Sequence, residues 1–265
     1  MAEMMEDRSL WREIAAEIGI EIRECVTVEE LSGCVALQRE VFALPEIEIS
    51  PVRHFVVTMH AGGFTLGAFS GDRLVGFVLS VPAFRSGARA FYSHMAAVSD
   101  DFQGIGLGAC LKWAQRERSL AEGVGFIKWT FQPVQARNAF FNLEKLGASV
   151  SQYKADFYGT DYGRQPDQPS ELGLESDRLF AEWHLESGKV VKLAAGEAFI
   201  EEREAVARII TTNQWARLVN ESPKEARRLQ DRVREEFLDA FSRGLICEGF
   251  ERGDQPAFLL YDRSK

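Results

Sequence analysis

Ser99-Asp100-Asp101-Phe102-Gln103-Gly104-Ile105-Gly106-Leu107-Gly108-Ala109 joins two stretches of different character. Upstream, Ala90-Phe91-Tyr92-Ser93-His94-Met95-Ala96-Ala97-Val98 is short, apolar and partly aromatic, as a strand is. Downstream, Cys110, Leu111, Trp113, Ala114 and Leu120 give an apolar side to a helix running from Gly106 to Glu122, which Gly123 and Gly125 close. Strand, glycine-rich turn and helix in that order form an anion cradle. Successive backbone N–H groups in the turn point outward, and the helix N-terminus adds partial positive charge, so a diphosphate can bind without basic side chains. Gly106 and Gly108 carry no side chain to block its approach.

Other glycine motifs fit less well. A P-loop needs Gly-Lys-Ser/Thr, and Gly108 is followed by Ala109-Cys110. A dinucleotide fingerprint read from Gly104-x-Gly106-x-x-Ala109 belongs after the first strand of a βαβ unit, with an acidic residue ending the next strand. Here the next strand ends Lys128-Trp129-Thr130-Phe131, and a long stretch of chain comes first. The plain alternative is a helix start that is glycine-rich for turn reasons alone.

The rest of the chain supplies a mixed α/β pattern. Ile20 to Val26 reads as a strand, followed by Thr27 as a helix N-cap with Glu30 completing a capping box. A second helix is expected over Val52–His60. Strands are expected over Phe64–Phe69 and Leu74–Val81, joined by a Ser70-Gly71-Asp72-Arg73 turn. Beyond the signature helix come a strand over Phe126–Phe131, a helix over Gln135–Leu146, and strands over Ala148–Tyr153 and Leu179–Leu185. Thr160–Ser176, rich in Gly, Pro, Asp and Gln, reads as a surface loop. The remainder reads as strands near Val190–Leu193 and Val206–Thr211, an amphipathic helix over Pro223–Arg243, and a hairpin of Leu245–Phe250 and Ala257–Tyr261.

Gln103-x-x-Gly106-x-Gly108 resembles the Arg/Gln-x-x-Gly-x-Gly/Ala signature of the GNAT N-acyltransferases. Ala139 with Glu144-Lys145-Leu146-Gly147 resembles the family's second motif, which usually ends Tyr-Glu-Lys-Leu-Gly-Phe. The resemblance spans Ile20 to Leu185. It implies an α/β (α+β) fold: a mixed, mostly antiparallel central sheet flanked by helices, with the fourth and fifth strands splayed. Residues 1–186 would form the acyltransferase core, and residues 187–265 a C-terminal strand-helix-hairpin extension packed on the core or extending it. It also implies acetyl-CoA or another acyl-CoA as cosubstrate. Met95, Ala96, Ala97 and Val98 would offer backbone groups to the pantetheine arm. Gln103, Gly104, Ile105, Gly106, Leu107, Gly108 and Ala109 would line the diphosphate, and Asn138 would stand near the pantetheine or thiol end.

Aminolysis of a thioester requires a proton to leave the amine, an oxyanion to be stabilised and a thiolate to depart. His94, just ahead of the expected pantetheine segment, is the candidate base, since its ordinary pKa suits proton transfer near neutrality. A histidine simply packed in the sheet is the competing reading. Ser93 points to the opposite face by strand alternation unless a bulge intervenes, and the family often has a bulge in that strand. The family's leaving-group acid is the Tyr before Glu-Lys-Leu-Gly, and here that position is Leu143. Asn142 and Asn138 lie four apart, so both amides are expected on one helix face, available to an acyl oxygen or merely solvating the helix. Tyr153 and Tyr158 are alternative phenols. Arg137 is the candidate cation for a substrate carboxylate or a carboxylated acyl group such as succinyl, with an ordinary surface arginine as its alternative.

The 265 residues are 46% hydrophobic and 27% charged, enough for a sizeable core. A formal net charge of -9 opposes a phosphate backbone, so no nucleic-acid partner is expected. Cys25, Cys34, Cys110 and Cys247 are widely spaced, which suits reduced core thiols and no metal site. The charged, amphipathic N-terminal stretch lacks a signal-peptide apolar region, and no run is long enough to span a membrane. A cytoplasmic protein is expected. Its partners would be a small-molecule amine, with an amino acid favoured by the resemblance, and a second copy of the chain if it dimerises. A non-catalytic acyl-CoA-binding module is the alternative function.

Overall fold

A computed structural model describes residues 9–42, 44–162 and 173–263. In chain order the elements are α1 (Leu10–Glu17), β1 (Glu21–Glu24), α2 (Val28–Phe42), α3 (Val52–His60), β2 (Phe64–Ser70), β3 (Arg73–Arg85), β4 (Ala88–Val98), α4 (Leu107–Ala121), β5 (Phe126–Phe131), α5 (Ala136–Phe140), β6 (Ser149–Lys154), β7 (Arg178–His184), α6 (Gly188–Ala194), β8 (Ala207–Ile210), α7 (Trp215–Glu221), α8 (Pro223–Ser242), β9 (Leu245–Glu251) and β10 (Ala257–Asp262). The chain divides into two compact units, residues 1–126 with 185–199, and residues 127–184 with 200–265.

In the first unit β1, β2, β3 and β4 lie side by side in that order, each pair antiparallel. Strand alternation sends Phe77 and Leu79 of β3 to one face, where they pack with Leu31, Cys34 and Val35 of α2, Phe55 of α3 and Ala97 of β4. The other face receives α4, whose Leu107, Cys110, Leu111 and Ala114 are buried. Gly76 of β3 allows close packing there, because a Cβ would lie 3.1 Å from Leu111 Cδ1. Along α4 the burial departs from the expected apolar stripe. Trp113 is half-buried, whereas Lys112, Gln115 and Ser119 are buried.

The capping box forms as its sequence spacing requires. The Glu30 N–H donates to Thr27 Oγ1 at 3.2 Å, and the Thr27 N–H donates to Glu30 Oε2 at 3.1 Å. The Val26 N–H adds a third bond to the same carboxylate oxygen, at 2.8 Å. Burial works to raise the Glu30 carboxyl, but the Thr27 N–H, the neighbouring Arg23 and the Val26 N–H outweigh it and hold the group at about 2. Thr27→Ala is expected to cost about 1 kcal/mol, as N-cap losses do. Urea unfolding followed by circular dichroism would read it as a lower midpoint at unchanged slope.

In the second unit the strand order is β5-β7-β6-β9-β10-β8. β6 pairs antiparallel with both β7 and β9, and β10 pairs antiparallel with both β9 and β8. The C-terminal strands β9, β10 and β8 therefore pair into the sheet that contains β6. Helix α8 lays Ala226, Val233, Phe237 and Ala240 onto this sheet, with Phe237 edge-on to Phe258. Most of its charged residues lie on the other side, as the sequence period predicts, with Arg234 turned in toward Asp177 as an exception.

The strand expected near Val190–Leu193 is instead helix α6. Two adjacent valines suggested a strand, but Val190 is buried while Val191 is exposed beside Lys189 and Lys192, which is a one-sided helical surface. Helix α7 went unforeseen; none of its residues is buried, so it has no core stripe to read. Residues 163–172 of the expected surface loop lie outside the described residues.

Candidate functional site

β3 and β4 pair Leu79 with Met95 and then Ser80 with Ser93, so His94 is an extra residue on β4. This bulge resolves the alternation question. Met95 packs with the core beneath α2 and α3, whereas Ser93 faces α4, although the two are only two positions apart. His94 turns to the α3 side, where its ring meets His54 edge-on at 5.3 Å between centroids. The imidazole is open to solvent yet crowded by protein. Burial, then the His54 ring, pushes its pKa below the ordinary histidine value. A neutral imidazole in contact with solvent can accept a proton.

Beyond β4 the chain turns sharply. The Ser99 hydroxyl donates to Glu40 Oε1 at 2.6 Å, and the Phe102 N–H donates to Ser99 O. The exposed Gln103 side chain ties the turn together, donating to Val98 O at 3.1 Å and to Asp100 Oδ1 at 2.7 Å. Its carboxamide thus shapes the cradle. Gly104 and Gly106 have φ of +81° and +94°, left-handed values that a side chain would strain. Leu107 is buried and anchors the start of α4, while Ile105 is exposed. The Gly106 carbonyl accepts from both Ala109 N and Cys110 N. Among the described residues, the N–H groups of Gly104 to Gly108 meet no protein oxygen. No side chain caps α4, and its first turn carries no acidic residue. The first turn of this helix thus carries no carboxylate, unlike that of α2, which carries Glu29 and Glu30. A Cβ at Gly108 would meet nothing within 4 Å, so packing within the protein does not require glycine there.

In the second unit the helix that carries the Glu-Lys-Leu-Gly motif widens. After α5 the hydrogen bonds lengthen to a five-residue step, with Leu146 N donating to Phe141 O at 3.0 Å. This rotation separates the two asparagines expected on one face. Asn142 is buried, and its Oδ1 accepts from Trp129 Nε1 at 3.1 Å. Asn138 is exposed, and its amide donates to Gln135 Oε1 at 3.0 Å. Leu143 is fully buried, so the family's tyrosine position is filled by core. Glu144 Oε1 accepts the Phe250 N–H at 2.7 Å, tying the motif to β9. Arg137 is exposed on α5. The Tyr153 hydroxyl is buried and donates to Asp177, while Tyr158 is exposed with its hydroxyl 3.4 Å from Thr130 Oγ1.

His54 escaped the sequence reading, because nothing local marks a helix histidine as the neighbour of a strand histidine forty positions on. Lys112 and Gln115 did leave a signal, since polar residues recur at core spacing along α4. Among the described residues there is no cluster of metal ligands, and no helix long and apolar enough to cross a membrane.

No protein-family model matches the chain, and no curated protein matches it. Solved structures do match. A GNAT-family protein from Desulfovibrio desulfuricans aligns over 63% of this chain and 99% of its own, at 14% identity and a TM-score of 0.50. An N-acetyltransferase from Staphylococcus aureus gives the same four values. A candidate acetyltransferase from Acinetobacter baylyi aligns over 63% of this chain and 94% of its own, at 16% identity and a TM-score of 0.51. The likeness is one of fold: this chain has the fold of the GNAT acetyltransferases.

Proposed function

We propose that the chain is an N-acyltransferase that moves an acetyl or other short acyl group from acyl-CoA to the primary amine of a small molecule. The observation that carries this reading is the cradle at the start of α4. Two exposed left-handed glycines lead into a helix whose start no side chain caps, in a fold shared with acetyltransferases. The N–H groups of Gly104 to Gly108 would hold the diphosphate, and Met95 to Val98 the pantetheine amides.

His94 would accept the proton that the amine gives up as its nitrogen bonds to the thioester carbon. The C–S bond then breaks, and the proton can pass from the imidazolium to the departing thiolate. Such a return removes the need for a phenol at Leu143. Asn138 and Arg137 are exposed on α5, and an amino acid is the amine class that an exposed cation such as Arg137 suits. Asn142 would act by keeping Trp129 in place, since its side-chain oxygen is already bonded to that indole.

The test is thiol release from acetyl-CoA and succinyl-CoA with a panel of amines, using wild type and His94→Ala. The variant is expected to lose about 10²- to 10⁴-fold in rate, the usual contribution of a positioned base. In wild type, kcat/KM should fall tenfold per pH unit below the His94 pKa, because the imidazolium cannot accept a proton. That break should lie below the ordinary histidine value of 6.5. Tight CoA binding without thiol release from any amine would point instead to a binding module, a reading that Leu143 in the tyrosine position favours.

A further inference from the structure

Four buried polar side chains meet on the α4 face of the first sheet. Lys112 Nζ donates to Ser93 Oγ at 3.0 Å and to Gln115 Oε1 at 2.7 Å, and Gln115 Nε2 donates to Ser80 Oγ at 2.7 Å. Ser80 and Ser93 are cross-strand partners, and they are the last pair in register before the bulge. The chain of bonds therefore runs from β4 up to α4 and back down to β3, directly beside the point where His94 is inserted. All four residues are at most 6% exposed.

Such a network is costly unless every member is satisfied. Apolar residues at 112 and 115 would pack against α4's side of the sheet without that demand. A bulge needs something to fix its place, because register along a strand can slip by one residue and exchange its faces. A slip here would carry Ser93 away from α4 and His94 away from His54.

We propose that Lys112, Gln115, Ser80 and Ser93 form a clamp that pins the β4 bulge, making Lys112 and Ser93 positioning residues for His94. Lys112 touches no reacting atom in this scheme; it holds Ser93 inward, and strand alternation at the bulge then turns the next residue to the opposite face. Burial lowers the Lys112 pKa well below the ordinary lysine value, which suits an amine that serves as a local hydrogen-bonding group. The consequence for rate rests on the acyl-transfer reading, whereas the consequence for His94 does not.

The experiment compares wild type with Lys112→Met, Ser93→Ala and the double variant. It reads His94 titration by NMR, with His54 assigned alongside, and kcat at saturating substrates. Each single variant is expected to move the His94 titration toward the ordinary value and to lower kcat about ten- to a hundredfold, as small misplacements of a reacting group do. KM for acyl-CoA should stay within about twofold, and the double variant should add little, as expected for residues in one network. Ser119→Ala is the control for a purely structural effect. Its hydroxyl bonds to the backbone oxygen of Gln115 and takes no part in the side-chain bonds of the clamp, and its loss should lower stability without moving His94. If Lys112→Met does not fold, Ser93→Ala and Ser80→Ala carry the same expectation. An unmoved His94 titration in folded variants overturns the clamp. Absence of turnover in wild type, with the titration shifted as expected, overturns acyl transfer and leaves the clamp standing.

Discussion

Gly108→Asp is expected to weaken binding of acetyl-CoA at least about a hundredfold while leaving the protein as stable as before, or more so. The two halves of this result have separate causes. Gly108 sits in the first turn of α4, where a Cβ would meet no atom within 4 Å and no acidic residue is present. Replacing a helical glycine relieves a backbone cost of roughly 0.5–1 kcal/mol relative to a better helix former. A carboxylate near a helix N-terminus adds typically 0.3–1 kcal/mol. A residue chosen for stability would therefore not be glycine. The same carboxylate would stand where the diphosphate is proposed to lie, and like-charge contacts at an interface cost several kcal/mol, which is a hundredfold or more in affinity. Calorimetric titration with CoA, acetyl-CoA and succinyl-CoA, beside thermal unfolding of the same variant, reads both halves. A stabilised protein that still binds CoA as tightly as wild type would remove the cradle from the proposal. Gly106→Trp is a blunter comparison, because at a φ of +94° any side chain strains the turn and binding loss mixes with misfolding.

The turn was legible in the sequence because its requirements are local. Positive φ at Gly104 and Gly106 and a buried Leu107 need only neighbouring residues to be understood. The same holds for the Thr27–Glu30 box and for the Phe126–Phe131 strand, whose ends coincide with those of β5. What the sequence hid depends on contacts between distant residues. The bulge at His94 is a property of the β3–β4 register, and the sequence could say only that Ser93 and His94 needed one to share a side. The Asn138–Asn142 pair failed for a related reason. Four-residue spacing assumes an α-helix throughout, and the widened turn after Phe140 breaks that assumption. Val190 and Val191 misled because two β-branched residues in a row carry a strand preference that packing overrode. The C-terminal hairpin was read correctly as an element, but its place beside β6 rests on the pairing of Val150 with Cys247, nearly a hundred positions apart.

Asp177→Ala is expected to be the most destabilising single substitution proposed for the second unit, at about 3–5 kcal/mol, the usual cost of removing one partner from a buried ion pair. The Asp177 side chain has no exposed surface. Arg234 of α8 grips it with both nitrogens of one edge, Nε to Oδ2 at 2.9 Å and Nη2 to Oδ1 at 2.8 Å. The Tyr153 hydroxyl of β6 and the Asp156 N–H complete its hydrogen bonds, the latter at 3.1 Å. One carboxylate thus joins the start of β7 to β6 and to the helix that covers the sheet. Burial, then the bond to Asp177, pushes the Tyr153 phenol above its ordinary value. Its contribution to stability is therefore complete below the ordinary tyrosine pKa and is lost as pH rises through the higher folded value. Arg234 keeps Glu175 as a partner in the variant, but the Tyr153 hydroxyl and the Asp156 N–H are left without an acceptor. Most of the loss comes from those stranded groups, since a buried pair often contributes little over well-packed apolar residues. It follows that Asp177→Leu combined with Arg234→Met and Tyr153→Phe should lose less than Asp177→Ala alone. By contrast, Arg39→Ala, which breaks the exposed pair with Glu46, should leave the urea midpoint unmoved. Urea unfolding of the four proteins decides the matter: a triple variant less stable than Asp177→Ala would mean that the ion pair itself, and not the stranding of its partners, holds α8 to the sheet.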